Sequence, residues 1–278
     1  MRKLNKIFSS SPKIDIDKKS KIVIMSDCHR GEGNNDDNFL KNETIYNGAL
    51  KYYLKNNFTY IELGDGDELW EVKNINNIIN GHKSTFKLLE NFNKNKRLLM
   101  LVGNHDIEKL HDNNYYGEIL KDLSIYESLI LNYEGKELFL LHGHQVDLLN
   151  STFWRISRFL VRHIWKPLEK IGFNDPTSAA KNYRVAKKVE KKLENWSNDN
   201  NKIVIAGHTH RPILPETKEH KYFNDGSCVH PNGITALEIE HGGIKLVRWG
   251  TSVNDDQLVS VTKEDITNFI LISNFFED

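Results

Sequence analysis

Short hydrophobic runs recur along the chain, and each of them ends at a cluster of polar residues. Five runs of five or six residues are rich in Ile, Val, Leu and Phe. Runs of this length and composition are typical of β-strands that are covered on both faces. The five predicted strands are Lys21–Ser26, Phe58–Leu63, Arg97–Val102, Glu137–Leu141 and Lys202–Ala206.

Helical patterns lie between these runs, for example at Asn42–Leu54 and Ser84–Phe92. Strands that alternate with helices predict an α/β sheet. In such sheets ligands bind beyond the carboxyl ends of the strands, which is where the polar clusters fall. Later in the chain the pattern becomes β-rich, and a short helix is predicted at Lys263–Leu271. The predicted late strands are Lys221–Asn224, Ile234–Ile239 and Ile244–Trp249, with a hairpin turn at Gly242-Gly243.

Composition narrows the function classes further. The chain has 278 residues, with 38 Lys and Arg against 38 Asp and Glu, so its overall charge gives no reason to expect a nucleic-acid partner. No apolar stretch approaches the roughly 20 residues that span a bilayer, and the basic N-terminus lacks the apolar segment of a secretory signal. Two cysteines supply no disulfide framework. We therefore expect a cytoplasmic protein, with peripheral contact at a membrane as an open alternative.

The chemistry is concentrated directly after the five predicted strands. Asp27-Cys28-His29 follows the first strand, Gly64-Asp65 the second and Gly103-Asn104-His105-Asp106 the third. His142-Gly143-His144 follows the fourth, and Gly207-His208-Thr209-His210 follows the fifth. In an extended segment residues i and i+2 point the same way, so the Asp-x-His and His-x-His pairs can each grip one ion. Imidazole and carboxylate ligands together suit divalent ions such as Mn, Fe or Zn.

These clusters, in this order, resemble the signature of calcineurin-like metallophosphoesterases: D-x-H, GD-x-x-[DE], GNH[DE], a later His and GH-x-H. The resemblance covers about residues 21–250. It implies a four-layer αββα sandwich of two mixed sheets with a helical insertion, and a single domain over residues 1–278. It also implies two divalent metal ions, with Mn favoured over Fe, Zn, Ni and Mg. Asp27, His29 and His210 would bind the first ion, Asn104, His142 and His208 the second, and Asp65 both.

Two such ions hold a hydroxide and clamp the phosphoryl oxygens in an in-line displacement. The implied activity is therefore hydrolysis of a phosphoester or pyrophosphate in a small phosphorylated or nucleotide-linked substrate. The resemblance implies that His105, which is not a ligand in the family, protonates the leaving oxygen. Asp106 would be the carboxylate that holds His105 in the right tautomer.

The stretch Gly64–Trp70 reads GD-x-x-E-x-W and resembles the UDP-2,3-diacylglucosamine hydrolase branch, whose members cleave a pyrophosphate and carry a helical lid. Residues 148–196 occupy the place of that lid. From Ser151 to Trp196 there are 11 Lys and Arg against 4 Asp and Glu, a net charge of +7, and Lys181–Trp196 has the pattern of a basic helix. This segment is predicted to be either a lid over a lipid or an ordinary subdomain. The predicted substrate contacts are Arg30, His144, Arg155, Arg158 and Arg162.

Members of that branch carry Arg at the position of His105, and Gly-Asp where this chain has Gly143-His144, so the proton donor and the substrate contacts are expected to differ. Two further functions stay open at this point. One is a broad-range phosphomonoesterase or phosphodiesterase, including a Ser/Thr protein phosphatase. The other is a non-catalytic scaffold with the same fold, since fold alone does not fix function. The oligomeric state is not predicted.

Overall fold

The structure is a computed structural model that describes residues 1–112, 114–147, 180, 182–231, 233–253 and 257–276. These residues form five α-helices: α1 (Arg2–Ser10), α2 (Glu43–Lys55), α3 (Ile75–Gly81), α4 (Lys83–Lys94) and α5 (Tyr183–Asn200). The early strands are β1 (Lys13–Ile16), β2 (Ile22–Met25), β3 (Thr59–Leu63), β4 (Leu98–Leu101), β5 (Ile125–Tyr126), β6 (Ser128–Tyr133) and β7 (Lys136–Leu141). The late strands are β8 (Ile203–Ala206), β9 (Tyr222–Asn224), β10 (Ile234–Glu240), β11 (Gly243–Val253), β12 (Val259–Asp265) and β13 (Ile270–Leu271).

The strands form two mixed sheets. The five-stranded sheet has the order β1-β6-β7-β8-β9, and β7, β8 and β9 run parallel within it. The eight-stranded sheet has the order β12-β11-β10-β2-β3-β4-β5, with β13 paired to β11. Within it β2, β3, β4 and β5 are parallel, whereas β10, β11 and β12 are antiparallel to their neighbours.

Three apolar clusters separate four layers. The middle cluster joins the facing sides of the two sheets, for example Ile24 of β2 with Leu140 of β7. A second cluster, which includes Val23 of β2 and Leu50 of α2, packs α2 and α4 on the outer face of the larger sheet. The third packs α1 and α5 on the outer face of the smaller sheet. Alternate residues of a strand such as β2 therefore point into two different apolar clusters. This layering confirms the predicted αββα sandwich.

The predicted hairpin between the late strands is confirmed, but its turn is His241-Gly242 and not Gly242-Gly243, because Gly243 is the first residue of β11. β10 and β11 pair from Glu240 opposite Gly243, which leaves a two-residue turn. His241 has φ 52° and Gly242 has φ 74°. Positive φ at both central residues is the pattern of a type I′ turn, which matches the twist of the two strands.

The prediction of a helix at Lys263–Leu271 is wrong. Val259–Asp265 instead pairs antiparallel with the far half of β11, and Ile270 pairs with Ile244 of the same strand. The eleven-residue strand β11 offers a backbone edge along its whole length, and these ladder hydrogen bonds override a weak local helix pattern.

The predicted insertion at 148–196 falls mainly outside the described residues. Its last part is the basic helix that the sequence predicts, and it begins at Asn182, whose side chain caps the amides of Arg184 and Val185. Leu193 and Trp196 of this helix are buried against the smaller sheet. α5 is therefore part of the outer helical layer. None of the described helices is long and apolar enough to cross a membrane.

Candidate functional site

The five polar clusters meet at one edge of the sandwich. β2, β3 and β4 are parallel neighbours in the larger sheet, and β7 and β8 are parallel neighbours in the smaller one. The loops after these strands are joined by backbone hydrogen bonds: the amide of Asp27 donates to Gly64, that of His29 to Asp65, and that of Gly207 to His142. The sheets thus fix the relative positions of side chains that are far apart in sequence.

Five of the seven predicted metal ligands have a left-handed backbone. The φ angles are 53° for Asp27, 49° for His29, 50° for Asp65, 65° for His208 and 54° for His210. This region is sparsely populated by residues other than glycine and costs on the order of 1–3 kcal/mol each. The predicted extended geometry for the Asp-x-His and His-x-His pairs is therefore wrong. Strain concentrated at one place is a feature of functional sites.

Asp27, His29 and His210 form the first set of predicted ligands, called here the open group because both imidazoles reach the surface. His210 Nε2 lies 3.0 Å from Asp27 Oδ1. His29 Nε2 lies 3.7 Å from the same oxygen and 3.8 Å from Asp65 Oδ2. One ligand atom from each member falls within 4.8 Å of the others, which is close enough to share one ion.

Asn104, His142 and His208 form the second set, called here the buried group, with exposed fractions of 2%, 0% and 5%. His142 Nδ1 lies 2.8 Å from the carbonyl oxygen of Leu63. This contact places the ring proton on Nδ1 and leaves the Nε2 lone pair for a metal. Nε2 lies 3.1 Å from Asp65 Oδ2, and Asp65, His142 and His208 together form a further possible ligand set.

The buried group passes a direct test of whether a metal fits. Asn104 Oδ1, His142 Nε2 and His208 Nε2 are buried, and none of them has a hydrogen-bond partner among the described residues. Buried polar atoms in folded proteins are nearly always satisfied. His142 Nε2 and His208 Nε2 belong to one possible ligand set, and unsatisfied atoms of metal-ligand type fit a cation as the missing partner.

Carboxylates control the protonation of the two imidazoles beside Asp65. Burial opposes a charge on His142, but Asp65 and Asp27 raise its pKa to about 10. Burial also opposes a charge on His29, yet Asp27 and Glu68 raise its pKa well above the usual value. The metal-free site thus holds protons where a metal-loaded site would hold cations, and metal binding must displace them.

Gly64 is required by the geometry of this pocket. Its φ is +92°, and a Cβ atom there would lie 2.7 Å from the ring of His142 and 2.8 Å from the amide nitrogen of Gly103. A side chain at this position would therefore displace a predicted ligand.

Glu68 is a functional residue whose role the sequence reasoning missed. Its Oε2 lies 2.8 Å from His29 Nδ1, and its Oε1 lies 2.7 Å from His105 Nδ1. One carboxylate therefore orients a predicted metal ligand and the predicted proton donor together. Although burial opposes it, the two imidazoles hold the pKa of Glu68 at about 2, so the group is ionised. The sequence feature that could have indicated this role is the position of Glu68, three residues after Asp65.

The prediction that Asp106 partners His105 is wrong. Asp106 instead accepts the amides of Gly66 and Gly103 and binds Lys109 Nζ at 2.6 Å. It ties the loops after β3 and β4 together, which is a structural role.

His105 itself is fixed on three sides. Its ring stacks on Trp70 with centroids 4.1 Å apart and an interplanar angle of 23°. The ring of His29 is nearly perpendicular to that of His105, with centroids 4.7 Å apart, and Glu68 contacts Nδ1. Burial lowers and Glu68 raises the pKa of His105, with a net upward shift. The other ring nitrogen, Nε2, lies 4.0 Å from Asp65 Oδ2.

The predicted substrate contact through Arg30 is wrong. This guanidinium is fully buried, and it binds Glu62 at 2.7 Å through both terminal nitrogens and Asp67 at 2.7 Å through Nε. These bonds use three of its five N–H donors, and the buried side chain has no exposed surface at which the other two could contact a phosphate. His144 is also buried, with its ring 5.7 Å from that of His142. The remaining predicted contacts, Arg155, Arg158 and Arg162, lie outside the described residues.

A sequence profile of the calcineurin-like phosphoesterase family matches residues 20–212, which is more than half of the chain. The chain therefore belongs to the calcineurin-like phosphoesterases, and it is a metal-dependent hydrolase of phosphoesters. Its His and Asp side chains could bind a dinuclear centre.

Solved structures resemble the chain weakly. An archaeal phosphodiesterase is 18% identical, with a TM-score of 0.40 over 88% of this chain and 99% of that one. Vps29 of Chaetomium thermophilum is 10% identical, with a TM-score of 0.44 and coverages of 90% and 99%. A cold-active protein-tyrosine phosphatase of a psychrophilic Shewanella species is 12% identical, with a TM-score of 0.41 and coverages of 91% and 82%. Similarities of this strength carry no conclusion about function. No curated protein matches the chain.

Proposed function

We propose that the chain is a two-metal phosphoesterase that cleaves a phosphoester or pyrophosphate bond. The observation that carries this proposal is the set of three buried ligand atoms without hydrogen-bond partners among the described residues, on Asn104, His142 and His208. A scaffold that uses the fold without catalysis has no need of such atoms, because each costs free energy unless it is paired.

The chain's own residues have distinct tasks in this proposal. The open group would hold one ion, the buried group another, and Asp65 both, because Asp65 lies within reach of His29 and His142. Two ions bound there would supply a nucleophile from water and stabilise charge on the phosphoryl oxygens. Mn is the favoured metal, although the same ligands accept Fe, Zn, Ni or Mg.

Proton transfer to the leaving oxygen belongs to His105 in this proposal. Glu68 keeps a proton on Nδ1 and favours the charged imidazolium. Nε2 then carries the proton that the leaving oxygen needs. Trp70 and His29 hold the ring in place, so the donor reaches the site in one orientation.

A pyrophosphate bond in a nucleotide-linked lipid is the more specific substrate that we propose. Its support is the motif Gly64–Trp70, which resembles that of the UDP-2,3-diacylglucosamine hydrolase branch, although Glu68 and Trp70 contact His105 here, where that branch carries Arg. With this substrate, residues 148–196 would be an insertion within a single domain over residues 1–278, and the part of the insertion before α5 would cover the lipid.

A substrate panel tests both levels of the proposal. The Mn-loaded protein is assayed with p-nitrophenyl phosphate, bis-p-nitrophenyl phosphate, a phosphopeptide, UDP-sugars and UDP-diacylglucosamine. Selective turnover of the UDP-linked lipid supports the pyrophosphatase. Turnover of the generic esters or the phosphopeptide alone supports a broad-range phosphatase or phosphodiesterase. The panel is then repeated with Fe, Zn, Ni and Mg, and no turnover with any of the five metals would favour the scaffold.

A further inference from the structure

The hydroxyl of Ser26 lies between two buried carboxyl groups beneath the open group. Its Oγ is 2.5 Å from Asp27 Oδ2 and 2.8 Å from Asp225 Oδ1. All three residues are almost completely inaccessible to solvent. A serine hydroxyl has one proton to donate. It can therefore satisfy one of these oxygens, and the other contact is a hydrogen bond only if that carboxyl group carries a proton.

The surroundings decide which carboxyl group carries it. Asp27 Oδ2 also accepts the backbone amide of His208 at 2.9 Å, and Asp27 Oδ1 faces His210 Nε2 at 3.0 Å. Asp27 Oδ2 therefore has a fixed backbone donor, which makes this oxygen a good acceptor for the single proton of Ser26.

Asp225 has the opposite surroundings. Its Oδ2 is buried and has no hydrogen-bond partner among the described residues. An ionised carboxylate with a bare buried oxygen costs much more free energy than a neutral carboxyl group. Burial and the neighbouring charge of Asp27 also raise the pKa of Asp225 well above its usual value.

We propose that Asp225 is a neutral carboxylic acid that donates its proton from Oδ1 to Ser26 Oγ, so that Ser26 in turn donates to Asp27 Oδ2. Asp225 is then a positioning residue for Asp27, and this role rests on the proposed function in which Asp27 binds a metal. With Oδ2 held by Ser26 and the His208 amide, Asp27 presents Oδ1 to the open group.

Gly207 allows the backbone to pack closely against the side chains of Ser26 and Asp27. A Cβ atom at this position would collide with Ser26 Oγ and lie 2.7 Å from Asp27 Oδ2. The backbone of the His208 loop therefore packs directly on the two side chains, and its amide can reach Asp27. The same loop thus supplies one of the two donors to Oδ2.

Infrared spectroscopy tests the proton directly. Metal-loaded wild type at about pH 8, far above the ordinary pKa of an aspartic acid, is compared with Asp225→Asn, with and without ¹³C-labelled aspartate. The wild type is expected to show the carbonyl stretch of a protonated carboxyl group, shifted by the label and missing from the variant. A wild-type spectrum without this band, or a band that persists in Asp225→Asn, would overturn the proposal.

Metal affinity tests the positioning role. Asparagine resembles the neutral acid in shape and can donate to Ser26, so Asp225→Asn is expected to bind Mn with an affinity close to that of the wild type. Asp225→Ala and Ser26→Ala are each expected to weaken binding by ~10–100-fold, the usual effect of losing an outer partner of a ligand. Asp199→Asn, on the exposed side of α5, is the matched charge control.

Equal losses in Asp225→Asn and Asp225→Ala would contradict a neutral Asp225, because the asparagine should replace it. If Asp225→Ala does not fold, the infrared comparison and the Asn variant still decide the question. A chain that shows the infrared band but binds no metal would contradict the proposed function and leave the protonated Asp225 standing.

Discussion

The open group and the buried group differ in the protein atoms that their predicted ligand side chains contact. In the open group, His29 and His210 have carboxylate partners, Glu68 and Asp27. In the buried group, the atoms that would face a metal have no hydrogen-bond partners among the described residues. The imidazoles of the open group are therefore held by hydrogen bonds, whereas in the buried group His142 Nε2 faces Asp65 at 3.1 Å and His208 Nε2 faces Asp147 at 3.6 Å without a hydrogen bond. We expect the ion of the buried group to bind more tightly and to exchange more slowly.

Asp65 joins the two groups, and replacing it is expected to have the largest effect. Asp65→Asn removes the charge that both groups share, at 3.8 Å from His29 Nε2 and 3.1 Å from His142 Nε2. Each ion supplies several kcal/mol to catalysis, so kcat/KM should fall on the order of 10⁴–10⁶-fold. Metal content and kcat/KM are measured together, with Asp199→Asn as control. Retention of both ions would show that Asp65 does not join the groups.

His105 lies beside the open group but is not one of its ligands. His105→Ala should keep both ions and slow hydrolysis of esters with poor leaving groups by ~10²–10⁴-fold, because a proton donor is lost. Esters of p-nitrophenol, whose leaving group needs little protonation, should be affected much less. Equal losses on the two kinds of ester would remove His105 as the acid, and loss of an ion would make it a ligand.

Glu68 and Asp106 separate the observed partner of His105 from the one that sequence predicts. Glu68→Gln should lower metal affinity or activity by ~10–100-fold, since it weakens the hold on His29 and His105 together. Asp106→Asn should mainly lower the melting temperature, because Asp106 binds Lys109 and two loop amides. The leaving-group dependence of the rate distinguishes them. If only Asp106→Asn changed the leaving-group dependence of the rate, Asp106 and not Glu68 would be the partner of His105.

Metal binding should weaken as the pH falls. The pKa of His142 is raised to about 10 without metal, so below that value the ring is protonated and a metal must displace the proton. Affinity should therefore rise by about tenfold per pH unit for each displaced proton, until the pH passes the raised pKa. Calorimetry in buffers of different ionisation enthalpy measures the protons released. Binding without proton release would show that His142 is already neutral.

The stacking of Trp70 on His105 should give the smallest effect. Trp70→Phe keeps an aromatic ring but reduces the contact that now lies at 4.1 Å. Such aromatic contacts contribute ~0.5–1.5 kcal/mol, so kcat should fall by about 2–10-fold on poor leaving groups, with KM nearly unchanged. A larger change in KM than in kcat would indicate that Trp70 contacts the substrate instead.

The sequence predicted the parts of the fold that follow from buried runs. The five predicted strands that precede the polar clusters correspond to β2, β3, β4, β7 and β8, and they were found because both of their faces are covered, which makes them almost wholly apolar. α1 and β6 were missed, although Leu4 and Ile7 of α1 and most of β6 are buried. The helix at Lys263–Leu271 was wrong because pairing with β11 is a long-range contact that a local pattern cannot show.

The candidate site could be assembled from the sequence because its ligands directly follow those strands. The sequence could not predict which side chains form hydrogen bonds with each other in the site. Asp106 is adjacent to His105 in sequence, yet Glu68 contacts it. Likewise Ser26 and Asp225 are 199 positions apart. Sequence motifs identify which residue types are present, whereas hydrogen-bond partners depend on the loop geometry of five strands.

The central claim is that two ions bind in two unlike groups. Anomalous X-ray scattering from a crystal of the Mn-loaded protein tests it most directly, with a second data set after brief exposure to a weak chelator. We predict two peaks joined by Asp65, one among Asp27, His29 and His210 and one among Asn104, His142 and His208, with the first peak fading first. A single peak, or one held by Glu68 and His105, would contradict the account.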